Sequence, residues 1–405
     1  MTAIHIPWSK LTASPSPRRI PELNGLRVVL VFIVSWYHIW QQSWLTPYVG
    51  QVSLDFLVRA GYVPVDGTIL LSGFLLFLPY ARSMFLGEGL PDVRTFYQRR
   101  IMRIVPSYYF ITLAMLFFVA IPWGLHATPQ AMWKDLITHI TFTQTFFRDT
   151  YMGTAIGVAS WTLVIEMQAY LIFPLIARCA RKNAVGTAGV MMAIAWAFRA
   201  WCLWTLTDYG MVVNQLPNFL DLYALGVLSA MLYVKLTQWW KKVRHPLTGE
   251  VIGTAVAALC VVILVRLLKD QAGSGDYAAI QAGQMMRRSL FGVTLAGLML
   301  SLPFCLWPIR FLMGNRVMGW LAAISMNYYL VHQNLAVHLK RLGVPASVSE
   351  TPHFDGERAW QYPYTWLCFG LSVLIATLIT LLIEKPGAWA LGKLFGKLDK
   401  RGKQA

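Results

Sequence analysis

Ten stretches of mostly apolar residues divide the chain, and each is long enough to cross a membrane as a helix. They cover roughly residues 26–44, 64–82, 101–123, 158–178, 184–205, 215–233, 251–268, 287–303, 317–338 and 364–383. A hydrocarbon core about 30 Å thick needs about 20 predominantly apolar residues per helix. The pattern therefore predicts an all-α, polytopic integral membrane protein with about ten transmembrane helices.

Three connecting pieces, 45–63, 124–157 and 339–363, are longer than a connection requires. We predict a short helix over 131–140, either on the membrane surface or dipping inward as a lid. Aromatic residues near the third piece are typical of a membrane-boundary belt, and they could also stack on a sugar.

Basic residues set the expected orientation, because Lys and Arg favour cytoplasmic loops. They are concentrated in alternate pieces, near residues 10–27, 82–103, 178–182, 235–244, 310–316 and 385–403. We therefore expect both termini in the cytoplasm. The chain divides into a cytoplasmic N-terminal arm (1–23), a transmembrane domain (24–385) and a basic cytoplasmic tail (386–405).

Composition supports the membrane assignment and removes other classes. Of 405 residues, 57% are hydrophobic and 13% are charged, and the mean hydropathy is +0.51. The net charge of +17 is explained by basic loops, so we expect no nucleic-acid partner. The five cysteines lie in or beside apolar stretches without a C-x-x-C pattern, which predicts neither a metal site nor a disulfide framework.

The first apolar stretch carries two ionisable side chains, Arg27 and His38, eleven residues apart. At about 100° per residue, eleven steps return to within about 20° of the starting direction, so both lie on one helix face. They are separated by about 16 Å along the helix axis. Arg27 is then expected at the cytoplasmic surface and His38 near the middle of the bilayer, where an ionisable group usually faces a bundle interior or a cavity.

Two further sites lie at matching levels. Glu166 is expected at a depth similar to that of His38, where a carboxylate could orient a histidine base, although it could equally bond to neighbouring helices. Arg100 and Arg103 are three residues apart at the level of Arg27. Three guanidinium groups at one membrane surface could clamp phosphates, or they could simply contact lipid headgroups.

Other polar residues inside the apolar stretches are few. Arg199 and Asp221 are predicted to be buried charges, because they lie inside apolar stretches, and Ser325 and His332 lie on the ninth stretch. We assign Ser325, His332 and Asp221 to binding of a polar acceptor. A histidine satisfied by neighbouring helices is an equally good interpretation of His332.

Five motifs in order resemble the acyltransferase-3 family of membrane acyltransferases, over nearly the whole chain. They are Arg27 with His38; Arg100 and Arg103 before Pro106; Ser160-Trp-Thr-Leu-Val-Ile-Glu-Met-Gln-Ala-Tyr-Leu-Ile-Phe-Pro174; Ile324-Ser-Met-Asn-Tyr-Tyr-Leu-Val-His332; and Ile383-Glu-Lys-Pro386. The chain departs from the family pattern at Asn24, Met167 and Val331, where the family more often has Asp, a second acid and Trp.

The resemblance implies an O-acyltransferase of a bacterial inner, or cytoplasmic, membrane. It would move an acyl group, most often acetyl, from acyl-CoA to a hydroxyl of a carbohydrate, a polysaccharide or a lipid-linked glycan. Arg27, Arg100 and Arg103 would hold acyl-CoA, and His38 would act as general base with help from Glu166. Acyl-CoA (acetyl-CoA) is a co-substrate here, and no permanently bound cofactor is expected.

Two alternatives stay open at this level. A transporter or exporter of an acylated or anionic solute could use intramembrane His and Glu as a proton relay, although no internal repeat supports it. A non-catalytic sensor or scaffold could also keep this fold, although such a protein would be expected to lose His38 first.

Overall fold

The computed structural model describes residues 15–16 and 18–401, with side chains up to residue 398. Its long helices are α1 (Glu22–Ser43), α3 (Val65–Leu86), α4 (Val93–Met115), α7 (Trp161–Lys182), α8 (Ala184–Thr205), α9 (Leu220–Trp240), α10 (Pro246–Ala272), α11 (Tyr277–Ser301), α13 (Arg316–Arg341), α14 (Arg358–Ile379) and α15 (Lys385–Arg401). The shorter helices are α2 (Asp55–Arg59), α5 (Pro129–Ile140), α6 (Arg148–Tyr151) and α12 (Trp307–Gly314). A two-stranded hairpin, β1 (Tyr48–Val49) and β2 (Val52–Ser53), is the sheet structure of the described chain.

Within the described residues, eight helices are long and apolar enough to cross a membrane, and α11 with α12 forms a ninth candidate bent by 107°. The remaining predicted span, α13, is 26 residues long but more polar. Its polar side chains Ser325, Asn327 and His332 are buried against other helices, which explains the low hydropathy of this segment. The prediction of an all-α polytopic membrane protein is confirmed, and ten spans result when α13 is counted. The expected orientation of the termini stays a prediction.

Small residues bring the central helices into close contact. At Gly226 on α9, an added Cβ would lie 2.6 Å from the backbone nitrogen of Phe74 on α3. At Gly25 on α1, it would lie 2.5 Å from the backbone oxygen of Met313 on α12. Helices in membranes associate through such close packing because lipid offers no hydrophobic driving force between them. Helix α1 also packs along α13, and both helices contribute residues to the candidate site.

Two buried ion pairs connect four helices. Arg199 on α8 binds the Asp221 carboxylate on α9 through both terminal nitrogens, at 2.6 and 2.8 Å. Arg288 on α11 lies 3.2 Å from Asp66 on α3, and both side chains are 1% exposed or less. The first two charges were predictable as buried from the sequence, whereas Asp66 and Arg288 were not, because they lie at the ends of their apolar stretches.

The chain termini dock on the bundle where the structure describes them. The backbone oxygen of Ser16 accepts a hydrogen bond from Tyr233, and Arg18 binds Glu88 at 2.9 Å. The predicted tail begins as helix α15, whose Gly387 lies close to Pro106 on α4. Residues 1–14 and 17 of the predicted arm and 402–405 of the predicted tail lie outside the described residues.

The predicted helix over 131–140 is present as α5. Pro129 stands in its first turn, and the side chain of Thr128 accepts a hydrogen bond from the backbone of Ala131 at its start. Tyr108 and Tyr109 of α4 donate hydrogen bonds to the backbone oxygens of His139 and Ile140. Helix α5 is therefore anchored to the end of α4.

Candidate active site

A cavity of about 300 Å³, called here the inner cavity, brings together five of the predicted site residues. They are Arg27 of α1, Arg100 and Arg103 of α4, Glu166 of α7 and Ser325 of α13. Pairing the arginines of α1 and α4 depends on the packing of two helices that are far apart in sequence. The three arginines expected at one level line the same cavity.

Positive charge dominates the inner cavity, because its wall holds three guanidinium groups and one carboxylate. The guanidinium of Arg100 lies 5.4 Å from the ring centroid of Tyr170 and 5.5 Å from that of Phe96, so both rings make cation–π contacts with it. The hydroxyl of Tyr170 donates to Glu166 at 2.9 Å. Arg27 lies within electrostatic reach of Glu166, Arg103 and Arg100. Such a wall suits an anionic group with several oxygens.

Glu384 adds a second carboxylate near this cluster. It lies within electrostatic reach of Arg103, and it accepts a hydrogen bond from Asn327 at 2.7 Å. From the sequence, Glu384 was only part of the Ile383–Pro386 motif, without a role of its own. Its position shows that the segment between α14 and α15 contributes to the electrostatics of Arg103.

A second cavity of about 170 Å³, called here the outer cavity, contains His38. Its wall combines aromatic rings and amides, among them Tyr37, Tyr62, Trp161 and Gln284. Within the described residues this wall holds no Asp, Glu, Lys or Arg. The outer cavity therefore suits a neutral, hydrogen-bonding group rather than an ion.

Gln41 determines which nitrogen of His38 is basic. The amide nitrogen of Gln41 donates to Tyr37 Oη at 2.8 Å, so the amide oxygen faces His38 Nδ1 at 3.0 Å. Nδ1 then carries the proton and donates it to that oxygen, which leaves Nε2 with a free lone pair. This is the tautomer that a general base requires.

His332 lies beside His38, with ring centroids 5.3 Å apart. Its Nδ1 donates to the backbone oxygen of Tyr329 at 2.7 Å, and its buried Nε2 has no hydrogen-bond partner among the described residues. His332 does not line either cavity. It lies beside His38, away from the walls of both cavities, and its contact with an acceptor stays a prediction.

Helix α1 runs past both cavities with one continuous face. Arg27 and Val31 line the inner cavity, and Val34 and His38 line the outer cavity. These positions follow the spacing of one helical stripe. The predicted common face of Arg27 and His38 is thus present, and it connects the two cavities.

Three residues lie apart from the groups with which the sequence placed them. Glu166 and His38 line different cavities, so the predicted carboxylate–histidine pair is not formed; His38 is held by Gln41 instead. Ser325 lines the inner cavity with the arginines and not the cavity of His38. Asp221 lines neither cavity, because Arg199, Ser289 and its own backbone neighbour occupy its oxygens.

A carboxylate close to two histidines lies in the connection over residues 124–157. Asp135 of α5 lies 3.0 Å from His126 Nε2 and 3.2 Å from His139 Nδ1. Burial alone would raise the pKa of this carboxyl, but the nearby His139 and the hydrogen bonds from His126 and the backbone of Ala155 outweigh burial and hold the pKa below its usual value. His139 Nδ1 itself donates to the backbone oxygen of Asp135 at 2.8 Å. The loop that leads into Trp161 is thereby anchored.

Sequence reasoning missed several residues of the cavity walls. Tyr329 is the clearest, because it lines both cavities. In the sequence, Tyr329 was only one residue of the Ile324–His332 motif, and nothing there predicted that it lines a cavity. Within the part of the chain that the structure describes, no three His, Cys, Asp or Glu side chains are placed to hold a metal ion.

Together, the fold and these cavities define a polytopic helical membrane protein with a cationic cavity and a neutral, histidine-containing cavity inside its bundle. Residues 20–382 match the family model described as an acyltransferase domain. The chain belongs to the acyltransferase-3 family.

Relatives with curated names are similar over parts of the chain. The acyltransferase MdmB of Streptomyces mycarofaciens is 25% identical over 236 residues, which are 54% of this chain and 58% of that protein. The O-acetyltransferase OatA of Staphylococcus aureus is 27% identical over 179 residues, 42% of this chain and 26% of that protein. Nodulation protein 10 of Rhizobium leguminosarum bv. viciae is 24% identical over 267 residues, 58% of this chain and 68% of that protein. No solved structure matches the chain.

Proposed function

We propose that this protein is a membrane O-acyltransferase that moves an acyl group, most simply acetyl, from acyl-CoA to a hydroxyl of a carbohydrate, polysaccharide or glycolipid. The observation that carries the proposal is the face of α1 that leads from the arginine cluster to His38. Family membership and the names of the relatives favour acyl transfer. All three named relatives are bacterial, so we place the protein in a bacterial cytoplasmic membrane.

The inner cavity would receive the phosphate-bearing part of acyl-CoA. Arg27, Arg100 and Arg103 offer planar donors that match phosphate oxygens in pairs. The cation–π contact of Arg100 with Tyr170 reduces the side-chain freedom that binding would otherwise have to remove. The acyl end would then extend along α1 toward His38.

His38 would act on the acceptor hydroxyl. Its Nε2 takes the hydroxyl proton while the oxygen attacks the thioester carbon, so a C–O bond forms and the C–S bond breaks. The proton then passes from Nε2 to the departing CoA thiolate, which balances the reaction. General-base assistance of this kind contributes about 10²–10⁴-fold in rate.

Glu166 has a different role in this proposal from the one its sequence position suggested. It binds Tyr170 and lies near Arg27, so it would position the donor site and not His38. Gln41 takes the place of the orienting partner of His38. The neutral wall of the outer cavity fits an uncharged acceptor such as a sugar hydroxyl.

Membranes of the native host, lacking the gene and complemented with each variant, test the function. Radiolabelled acetyl-CoA is supplied, and label is followed into the glycan, lipid and small-molecule fractions. We expect His38→Ala to lower transfer by about 10²–10⁴-fold. His245→Ala, at an exposed histidine before α10, should match wild type.

Equal transfer by wild type and His38→Ala would contradict the role of His38. Absence of transfer by the wild type would contradict the function itself. In that case, solute uptake by proteoliposomes without acyl-CoA, lost in Glu166→Gln, would establish the transporter instead.

A further inference from the structure

Tyr329 is the one residue shared by the walls of the inner and outer cavities among the described residues. It is buried on α13, 7% exposed. Its ring centroid lies 5.4 Å from that of His332. Tyr329 therefore stands between the two cavities, with its ring packed against His332.

The surrounding helices show how thin this separation is. On α1, Val31 faces the inner cavity and Val34 the outer, a step of about 4.5 Å along the axis. On α3, Thr68 faces the inner cavity and Val65 the outer, which is the same spacing. The cavities are thus stacked end to end, with about one helical turn and one aromatic ring between them.

The proposed reaction needs a path through this level. The charged end of the donor belongs with the arginines of the inner cavity, whereas the base lies in the outer cavity. The thioester can meet His38 only if the acyl end passes Tyr329. With the ring in place, the acyl group and acceptor share about 170 Å³, less than the roughly 300–1,000 Å³ of typical ligand sites.

We propose that Tyr329 is the partition between the donor and acceptor cavities and that it determines which acyl chain lengths are transferred. This inference rests on the proposed function. The tyrosine ring admits a short acyl group beside it and excludes longer chains from the outer cavity. Removing the ring would join both cavities into one larger space that accommodates a longer chain.

The experiment compares radiolabelled acetyl-CoA with radiolabelled hexanoyl-CoA as donors, in membranes of the native host complemented with each variant. Wild type is expected to prefer acetyl. Tyr329→Ala should raise the hexanoyl-to-acetyl transfer ratio at least about tenfold, because pockets that exclude methylene groups discriminate by about 10–200-fold. Tyr329→Phe keeps the ring and should keep the wild-type ratio.

Two further variants control for loss of packing. Tyr328→Ala removes an equally large buried ring from the same helix, outside both cavity walls, and should leave the ratio unchanged. Tyr329→Leu keeps an apolar side chain, and it should still raise the ratio if Tyr329→Ala does not fold.

The outcomes separate the two proposals. If wild type transfers acetyl but neither Tyr329→Ala nor Tyr329→Leu changes the ratio, the partition is disproved and the acyltransferase stands. A ratio that rises equally in Tyr328→Ala also disproves it, since general loosening would explain the effect. If wild type transfers neither acyl group, the proposed function fails.

Discussion

Replacing Asp221 with Asn would leave the Arg199 guanidinium without its direct counter-charge inside the helical bundle. The side chains of Arg199 and Asp221 are 6% and 1% exposed, and two hydrogen bonds of 2.6 and 2.8 Å join them. Removing one member of such a pair costs about 3–5 kcal/mol, mostly because the remaining charge stays buried. We therefore expect Asp221→Asn to destabilise the protein by about that amount.

The assay is thermal unfolding of the purified protein in detergent, followed by tryptophan fluorescence. A matched control is Asp208→Asn, which breaks a similar Arg–Asp pair with Arg148 at 3.0 Å that is exposed to solvent. Exposed pairs contribute little, so Asp208→Asn should unfold near the wild-type midpoint. The double variant Arg199→Met/Asp221→Leu removes both charges and should be less destabilised than Asp221→Leu alone.

The same variants distinguish a structural role of Asp221 from acceptor binding. A structural role predicts a lowered midpoint, with an unchanged KM for acceptor in the protein that remains folded. A wild-type midpoint together with a raised acceptor KM would refute the argument from the ion pair and restore the assignment made from sequence.

Three more predictions follow from other parts of the structure. Arg103→Ala should raise the KM for acetyl-CoA about 10–150-fold, because a hydrogen bond to a charged group contributes about 1.5–3 kcal/mol. Arg99 lies outside the cavity wall, so Arg99→Ala should leave this KM unchanged. Equal KM values for the two variants would exclude a contact between Arg103 and acetyl-CoA. Gly25→Ala should lower the unfolding midpoint, because the added methyl group would overlap the Met313 backbone. Gly189 on α8 faces open space, so Gly189→Ala should keep the wild-type midpoint. Equal midpoints for the two variants would contradict the packing argument. The folded-state pKa of Asp135 is lowered, so this carboxylate stabilises the fold at pH values above its ordinary pKa, and that contribution is lost as the pH falls through the folded-state pKa. Asp135→Asn should therefore be less stable than wild type at neutral pH and should lose less stability on acidification below about pH 4. Parallel pH profiles of the two proteins would contradict this.

Local sequence patterns predicted some features of the site and failed for others. The common face of Arg27 and His38 was predictable, because positions within one helix are related by a fixed rotation per residue. The level of Arg100 and Arg103 relative to Arg27 was also predictable, since a membrane aligns helix ends. The pairing of Glu166 with His38 was not correct. Similar depth does not specify which way two side chains point around their own helices.

The partners of individual polar groups were set by packing. Gln41, one turn from His38, was the orienting group, although nothing in the spacing distinguishes it from the other polar residues near the end of α1. Asp221 on α9 pairs with Arg199, which lies 22 residues earlier on α8, and this pairing requires α8 and α9 to be neighbours. Tyr329 became significant only because two cavities end at its ring.

The amino-acid sequence by itself determined the membrane class and the helical architecture, because hydrophobic length and helical period are local properties. It also determined that Arg27 and His38 share a face. Only the tertiary structure decided that this face passes two cavities, that Glu166 belongs with the arginines, and that Tyr329 lies between the cavities. These positions depend on how helices that are far apart in the chain rotate about their axes and pack against one another. No local pattern in a single sequence specifies that packing.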